Sequence, residues 1–368
     1  SAWPGVAQGN TPPAQPELKD FLEKRLHEIS DVEPNHLRQD DSNQPAASSD
    51  SMWTIATLAR QAAHPSIAVD VASHLHLSFA SATGLTYAYF DGTTWQYTTV
   101  ESAPFDSVIA TAIALTPAGQ PRIAYSLNGL KYAYLDQTGW HTELIDTAAD
   151  TVDLAIDAGG TPHVGYNNSE IRLADRDNAG WHIMTLDSSG QSVSLRTGNS
   201  LYIGNLHMTY ILPGGVEYAW NYAPRGEWHK YLYVSDPNAR YSSMAAFYNG
   251  EAMQLAYCSC AGNASLHMDY WDYNDIHHNE VVDGGTPNWT GGDLSLAAYA
   301  DRQYIAYFAT DTGPHLKYAY KINNIWTLEF IDDQVNLSPS TVITPEVALA
   351  FNTAGRAYTV YNDGDGVL

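Results

Sequence analysis

A stretch of twelve residues, Gly129-Leu130-Lys131-Tyr132-Ala133-Tyr134-Leu135-Asp136-Gln137-Thr138-Gly139-Trp140, returns in altered form along almost the whole chain. Gly84-Leu85-Thr86-Tyr87-Ala88-Tyr89 leads to Trp95, Gly215-Val216-Glu217-Tyr218-Ala219-Trp220 to Trp228, and Leu316-Lys317-Tyr318-Ala319-Tyr320 to Trp326. A second recurrent piece, an apolar segment ending on an aromatic, closes at Phe79, Tyr125, Tyr166, Tyr210, Tyr257, Tyr307 and Tyr361. These aromatics lie 41 to 54 residues apart, a period at which self-similarity signals units stacked on one another.

Inside one unit apolar residues recur with a period of two, as over 108–115, 122–125, 130–135 and 140–145. Pro, Gly, Asn and Asp fill the gaps, and 118–121 and 158–162 read as hairpin turns between first and second strands. Four short antiparallel strands repeated seven times predict an all-β chain, a seven-bladed β-propeller of four-stranded antiparallel blades. The Tyr and Trp residues then pack between neighbouring blades. Asp70, Asp146, Asp157, Asp187, Asp283 and Asp332 recur at equivalent places, which argues for a role in turns, since a catalytic residue is needed only once.

The propeller is expected over 51–368, and residues 1–50 stand outside the repeat. Trp53-Thr54-Ile55-Ala56-Thr57-Leu58 matches the fourth strands that begin at Trp95, Trp140 and Trp181. A strand at 52–58 is therefore expected to complete the last blade and close the ring, which removes two sheet edges. At the other end the seventh blade has a first strand at 345–351 and a second at 356–361. Gly366-Val367-Leu368 then enters a third strand. In the N-terminal arm, Ser1 to Gln15 reads as extended, and a helix is expected at about 16–29, followed by a polar linker. Pro16 suits its first turn, Glu17 and Asp20 sit near the positive end of its dipole, and Leu18, Phe21, Leu22, Leu26 and Ile29 form one apolar stripe.

Composition narrows the partners. The net charge of −24 argues against nucleic acid and anionic membrane surfaces, both of which bind through basic clusters. No run of about twenty apolar residues is present, so membrane insertion is not expected. Few lysines and many Tyr, Ser and Thr lean towards an extracellular or cell-surface location, and Asn167, Asn263, Asn288 and Asn336 head Asn-x-Ser/Thr triplets in predicted loops.

The sequence offers little catalytic chemistry. It holds no Gly-x-Ser-x-Gly elbow, no His-Glu-x-x-His and no phosphate-cradling loop, so no enzyme is expected and no catalytic residue is nominated. Cys258 and Cys260 do not match a zinc spacing and read as a local disulfide or two inert thiols. Asn362-Asp363-Gly364-Asp365-Gly366 has the composition of a calcium loop without its distal Glu, which makes Asp363 and Asp365 the metal candidates.

The pattern Leu154-Ala155-Ile156-Asp157, Gly160, Pro162-His163-Val164-Gly165-Tyr166, then Leu-x-Tyr-Ala-Tyr and Trp, resembles the repeats of secreted bacterial seven-bladed β-propellers over about 52–368. Such propellers serve as lectins, adhesins, enzymes and structural subunits, so function does not follow from the resemblance. The first functional reading is a non-catalytic extracellular structural protein that assembles with copies of itself into fibres or surface layers. Leu18, Phe21, Leu22, Leu26 and Ile29 of the arm would make the contacts, together with Tyr361, Val367 and Leu368 beside the incomplete last blade. The alternative is a glycan-binding lectin or adhesin that uses the face of the loops between second and third strands. Its ligand would lie against Tyr270, Trp271, Tyr273, His277 and His278 of the irregular fifth blade. A hydrolase with an unrecognised site is the third reading.

Overall fold

The computed structural model describes residues 53–198, 206–221, 226–246, 253–260, 264–271, 276–286, 293–300, 302–309, 314–333, 335, 345–363 and 368. They hold 26 strands, arranged as six four-stranded sheets over 63–102, 110–146, 151–187, 191–234, 239–286 and 294–332, and a two-stranded sheet over 346–362. Each strand pairs antiparallel with its neighbour in the chain, so the repeat units coincide with the sheets to within a few residues. The arm, with its expected helix and apolar stripe, lies outside the described residues, as do Val367 and Asp365. Among the described residues no helix is long and apolar enough to cross a membrane.

The first strands are Ala63–Val69, Ala110–Leu115, Thr151–Ile156, Gln191–Thr197, Ala239–Ala246, Leu294–Tyr299 and Glu346–Phe351. They neighbour one another in chain order, and the last packs back on the first, so the sheets close into a ring. Second strands are almost wholly buried, whereas fourth strands such as Trp95–Ser102 face solvent along much of their length.

Two kinds of side-chain bond hold sheet to sheet. At the inner strands, a Ser or Asp of one sheet accepts a backbone N–H from the next. Ile113 donates to Ser66 Oγ at 3.1 Å, Leu195 to Asp153 Oδ2 at 2.8 Å, Met244 to Ser194 Oγ at 3.2 Å, Leu296 to Ser243 Oγ at 3.0 Å and Leu349 to Ser295 Oγ at 3.1 Å. Across the seam the N–H of His64 donates to Glu346 Oε2 at 2.7 Å, whereas at the junction of the second and third sheets Leu154 gives its N–H to Asp153 Oδ1 of its own sheet at 2.8 Å. These strands have no fifth strand inside them, so their inward N–H groups need partners, and the neighbouring sheet supplies them.

Further out, in five of the six sheets with a fourth strand, an acidic residue at that strand's end takes the hydroxyl of the next sheet's strand-closing tyrosine and usually a cation; the exception is Val234, beside which Tyr257 accepts from Asn279 Nδ2 at 3.1 Å. Asp146 accepts from Tyr166 at 2.7 Å and Arg172 at 2.8 Å, and Asp283 from Tyr307 at 2.8 Å and Lys317 at 3.1 Å. Glu101 takes Tyr125 and Lys131 in the same way. Against Asp187 the third strand offers Glu217 in place of a cation, and Lys230 of the fourth strand supplies the charge at 2.7 Å. The recurrent aspartates thus divide. Asp70 and Asp157 do bind turn backbone, through Ala72, His74 and Thr161. Asp146, Asp187, Asp283 and Asp332 are staples between sheets, which corrects the expectation that all of them serve turns. Asn167 is also corrected: it is buried and accepts the Thr151 N–H at 2.9 Å, so it presents no side chain to a glycan. The asparagines of the other three triplets lie outside the described residues.

At the seam the staple is replaced. Phe79 and Thr86 stand where Tyr125 and Lys131 stand in the next sheet, and Ala59, six residues after Trp53, stands where Glu101 and Asp146 follow Trp95 and Trp140. Trp53 packs edge-on against Tyr318 at 5.1 Å, as Trp140 does against Tyr87 at 5.1 Å and Trp181 against Tyr132 at 5.2 Å. The backbone of Leu368 bonds Leu58 and Ala59, with its own N–H donating to Ala59 O at 3.0 Å. Leu130 faces Asp146 and Leu316 faces Asp332 in the corresponding register. Residues 53–58 do not form the regular strand expected there; their bonds among the described residues include those to Leu368 and one from the Tyr97 hydroxyl to Leu58 O at 3.4 Å.

Candidate functional site

The inner strands begin at the end of the ring where second strands pass to third, since Ala110 pairs with Ser126 and Thr151 with Asn167. Their opening residues line a central cavity of about 800 Å³ at that end. All seven sheets contribute to it. Cys258 and Cys260 are joined by a disulfide, and Cys260 reaches the rim, so the tight bridge fixes the end of a second strand against the cavity mouth.

The wall is polar and carries charges of both signs. Glu346 binds His64 through the backbone N–H and through Nδ1 at 2.8 Å, and takes Asn362 Nδ2 at 3.2 Å. Asp153 holds Arg196 at 2.8 Å. Burial, reinforced by the Glu346 carboxylate, pushes Asp293 up to about 7, although the Leu294 and Val347 N–H groups pull the other way. Burial also raises the Tyr241 hydroxyl, with Asp293 and Glu346 adding to the effect. Arg240, exposed at the same wall, anchors one guanidinium nitrogen on the Pro237 and Ala239 carbonyls. Carboxylates, guanidinium groups and hydroxyls around one aromatic suit a neutral, polyhydroxylated ligand. Four wall hydroxyls, Ser66, Ser194, Ser243 and Ser295, accept backbone N–H groups.

The residues singled out in the fifth sheet lie elsewhere. Gln254 pairs with Tyr270 and Ser259 with Ser265, so the third strand runs away from the cysteine loop and brings Tyr270 and Trp271 to the opposite end of the sheet. The expectation that they sit on the second-to-third loop face is corrected by this register: one strand length separates the two ends. Tyr270 stacks on its cross-strand partner His278 at 4.8 Å, donates to Glu280 at 3.0 Å and lies under the Lys321 ammonium. His277 bonds the buried Asp269 at 2.6 Å and meets Tyr233 edge-on. Burial raises the Asp269 pKa, against the bonds from Asn279 and His277. Tyr270 and His277 thus touch the neighbouring sheets, and His278 stacks within its own. The Trp271 side chain and Tyr273 fall outside the described residues. Among the described residues no group of three His, Cys, Asp or Glu could hold a metal; Asp363 is part-buried, and its expected partner Asp365 is not described.

No family profile and no curated protein matches the chain. Solved structures do. The chain is similar to the BP39L lectin from Burkholderia pseudomallei at 13% identity and a TM-score of 0.56, covering 83% of this chain and 97% of that one. The chain folds as a β-propeller. It is similar as well to a catalytically inactive virginiamycin B lyase from Staphylococcus aureus, at 11% identity and a TM-score of 0.57, with 85% and 96% covered. The SapL1 lectin in complex with alpha methyl fucoside gives 14% identity and a TM-score of 0.52, over 73% and 96%. Identities this low speak to the propeller fold alone, and lectins and a lyase share it.

Sequence reasoning missed the inner wall. Its signal was present as a Ser or Asp followed by an apolar residue and Ala: Ser66-Ile67-Ala68, Asp153-Leu154-Ala155, Ser243-Met244-Ala245 and Ser295-Leu296-Ala297. Each reads as an ordinary first strand until the ring places them around one axis.

Proposed function

We propose that the chain is a non-catalytic, seven-bladed β-propeller of the cell exterior that binds glycans in its central cavity. The observation that carries this reading is the cavity itself: its volume suits a small oligosaccharide, and its wall joins Tyr241 and Arg240 to the carboxylates of Asp153, Asp293 and Glu346. Sugar hydroxyls donate to carboxylates and accept from guanidinium groups, and a sugar face packs on an aromatic ring. The lectins among the similar structures, one bound to a fucoside, support a carbohydrate ligand. The disulfide favours an oxidising compartment. Seven sheets in cyclic order support the blade count, and the matched positions of Trp53 and Ala59 support closure of the seventh blade by 53–59.

A glycan array tests the reading directly. Binding by the intact protein is expected, with Arg240→Ala weakening it at least tenfold. Absence of any bound glycan sinks it, and full binding by Arg240→Ala moves the site out of the cavity. A second reading, assembly of copies through the arm and the last sheet, is favoured by one observation, the two-stranded state of that sheet among the described residues.

A further inference from the structure

The polar lining of the central cavity is built in two tiers. Register places Ser66 opposite Ser78, Asp153 opposite Gly165, Ser194 opposite Thr209, Ser243 opposite Ala256 and Ser295 opposite Ala306, in each case one residue before the aromatic that closes the second strand. These five side chains therefore stand at one level around the axis, and all of them line the cavity. The remaining two sheets place Ala112 and Ala348 at that level. Glu346 pairs with Asn362, one residue past its aromatic, and Asp293 precedes Leu294, which faces Tyr307. Both thus lie nearer the mouth, in an outer tier with Arg240 and Tyr241.

The inner tier is rich in donors that have nowhere to donate. Each of its four serines lends a lone pair to a backbone N–H of the next sheet, at 3.0 to 3.2 Å, which leaves its O–H proton to be given away. Among the described residues no acceptor takes any of the four. Asp153 supplies the acceptor of the ring, its oxygens shared with the N–H groups of Leu154 and Leu195 and with Arg196. Further along, five of the inner strands end on Val69, Leu115, Ile156, Tyr299 and Phe351, none of which lines the cavity, and Tyr299 stacks on Phe351 at 5.7 Å. A polar chain continuing past the serines would exchange hydrogen-bond partners for apolar neighbours, at a cost.

We propose that the cavity takes the free end of a glycan chain, inserted along the ring axis with its terminal sugar in the serine tier and the preceding sugar beside Arg240 and Tyr241. The proposal rests on the reading of the cavity as a glycan site and adds the class of ligand: neutral chains whose last sugar keeps its hydroxyls unsubstituted. A sugar hydroxyl accepts as well as donates, so it can take a serine proton and give its own to Asp153. A substituted end removes those hydroxyls and needs room beyond the tier, while the serines keep protons that nothing accepts.

The test uses the full 368-residue protein with galacto-, malto- and chito-oligosaccharides and fucosyllactose, on an array and by calorimetry. Each is presented as a matched pair, one with a free terminal sugar and one with that sugar O-methylated. Every glycan that binds should lose at least tenfold in affinity when its end is methylated. Ser243→Thr keeps the oxygen for the Leu296 N–H and adds a methyl group to the inner tier, so it should leave the melting temperature unchanged and weaken binding at least tenfold; Ser295→Thr repeats the test one sheet on. Equal binding of free and methylated ends, or full binding by a folded Ser243→Thr, overturns end-on insertion, while binding at the mouth that is sensitive to Arg240→Ala would stand. Binding of no glycan at all removes both.

Discussion

His163 is 3% exposed and lies between two carboxylates, bonded to Asp175 through Nδ1 and facing Asp157 from Nε2 at 3.5 Å. Burial alone works to lower its pKa, but the bonds and charges of the two aspartates outweigh it and raise the group to about 9. The folded state therefore holds this proton more tightly than the unfolded chain does. The resulting stability, on the order of 3 kcal/mol, is complete below pH 6.5 and is lost as the pH rises through 9. Replacing His163 by Gln should lower the melting temperature at pH 6, and the gap from the parent protein should close by pH 10. A gap that stays constant over that range excludes the imidazolium. This triad was not legible in the sequence, although its members were. His163 and Asp157 belong to the recurrent pattern, but Asp175 replaces the tyrosine found at Tyr89, Tyr134 and Tyr320, and only the register brings it opposite His163. Gly215 shows the opposite case. Its φ of +142° and the nearness of the Val234 carbonyl forbid a side chain, and the same Gly opens the motif at Gly84 and Gly129 for the same reason.

Strands, their order and their antiparallel pairing follow from a period of two broken by Gly, Pro and Asp, so the sheets were readable before any coordinates. The bonds between sheets were not. Tyr166, Arg172 and Asp146 are 20 and 26 residues apart in sequence, and their meeting depends on where neighbouring sheets cross. Once the ring is known, two departures become readable: Ala59 faces Phe79 and Thr86 at the seam, and Val234 faces Tyr257, whose hydroxyl accepts from Asn279 Nδ2 at 3.1 Å in place of a carboxylate staple. Phe79 is 1% exposed, and a hydroxyl there would be buried with nothing to bond. Asp146→Ala removes the acceptor for Tyr166 and Arg172 together and leaves both polar groups half-buried. The expected cost is about 2–3 kcal/mol, seen as a lower denaturation midpoint at unchanged slope. A loss under about 0.5 kcal/mol would mean that the staple only fills space and that apolar packing alone joins the sheets.

A closed ring needs its first and last sheets to meet, and the contacts that do so include Glu346 with His64, Asn352 with Ser73, Glu346–Phe351 against Ala63–Val69, and 53–59 beside the two-stranded sheet. Residues 53–59 lie at the start of the described residues and can be removed without touching the others. Trp53 fills the place against Tyr318 that Trp140 and Trp181 fill in their sheets, and Leu58 joins the cluster of Leu75, Leu77, Phe79 and Val360. Trp53 is half-buried, so losing it costs less than the ~3–5 kcal/mol of a fully buried Trp, and the Leu58 contacts and Leu368 bonds add to that. A protein starting at residue 61 should therefore melt well below one starting at residue 53, by more than about 5 °C for a domain of this size. If both shortened proteins melt together, 53–59 does not close the ring, and the seam is held by the inner strands alone.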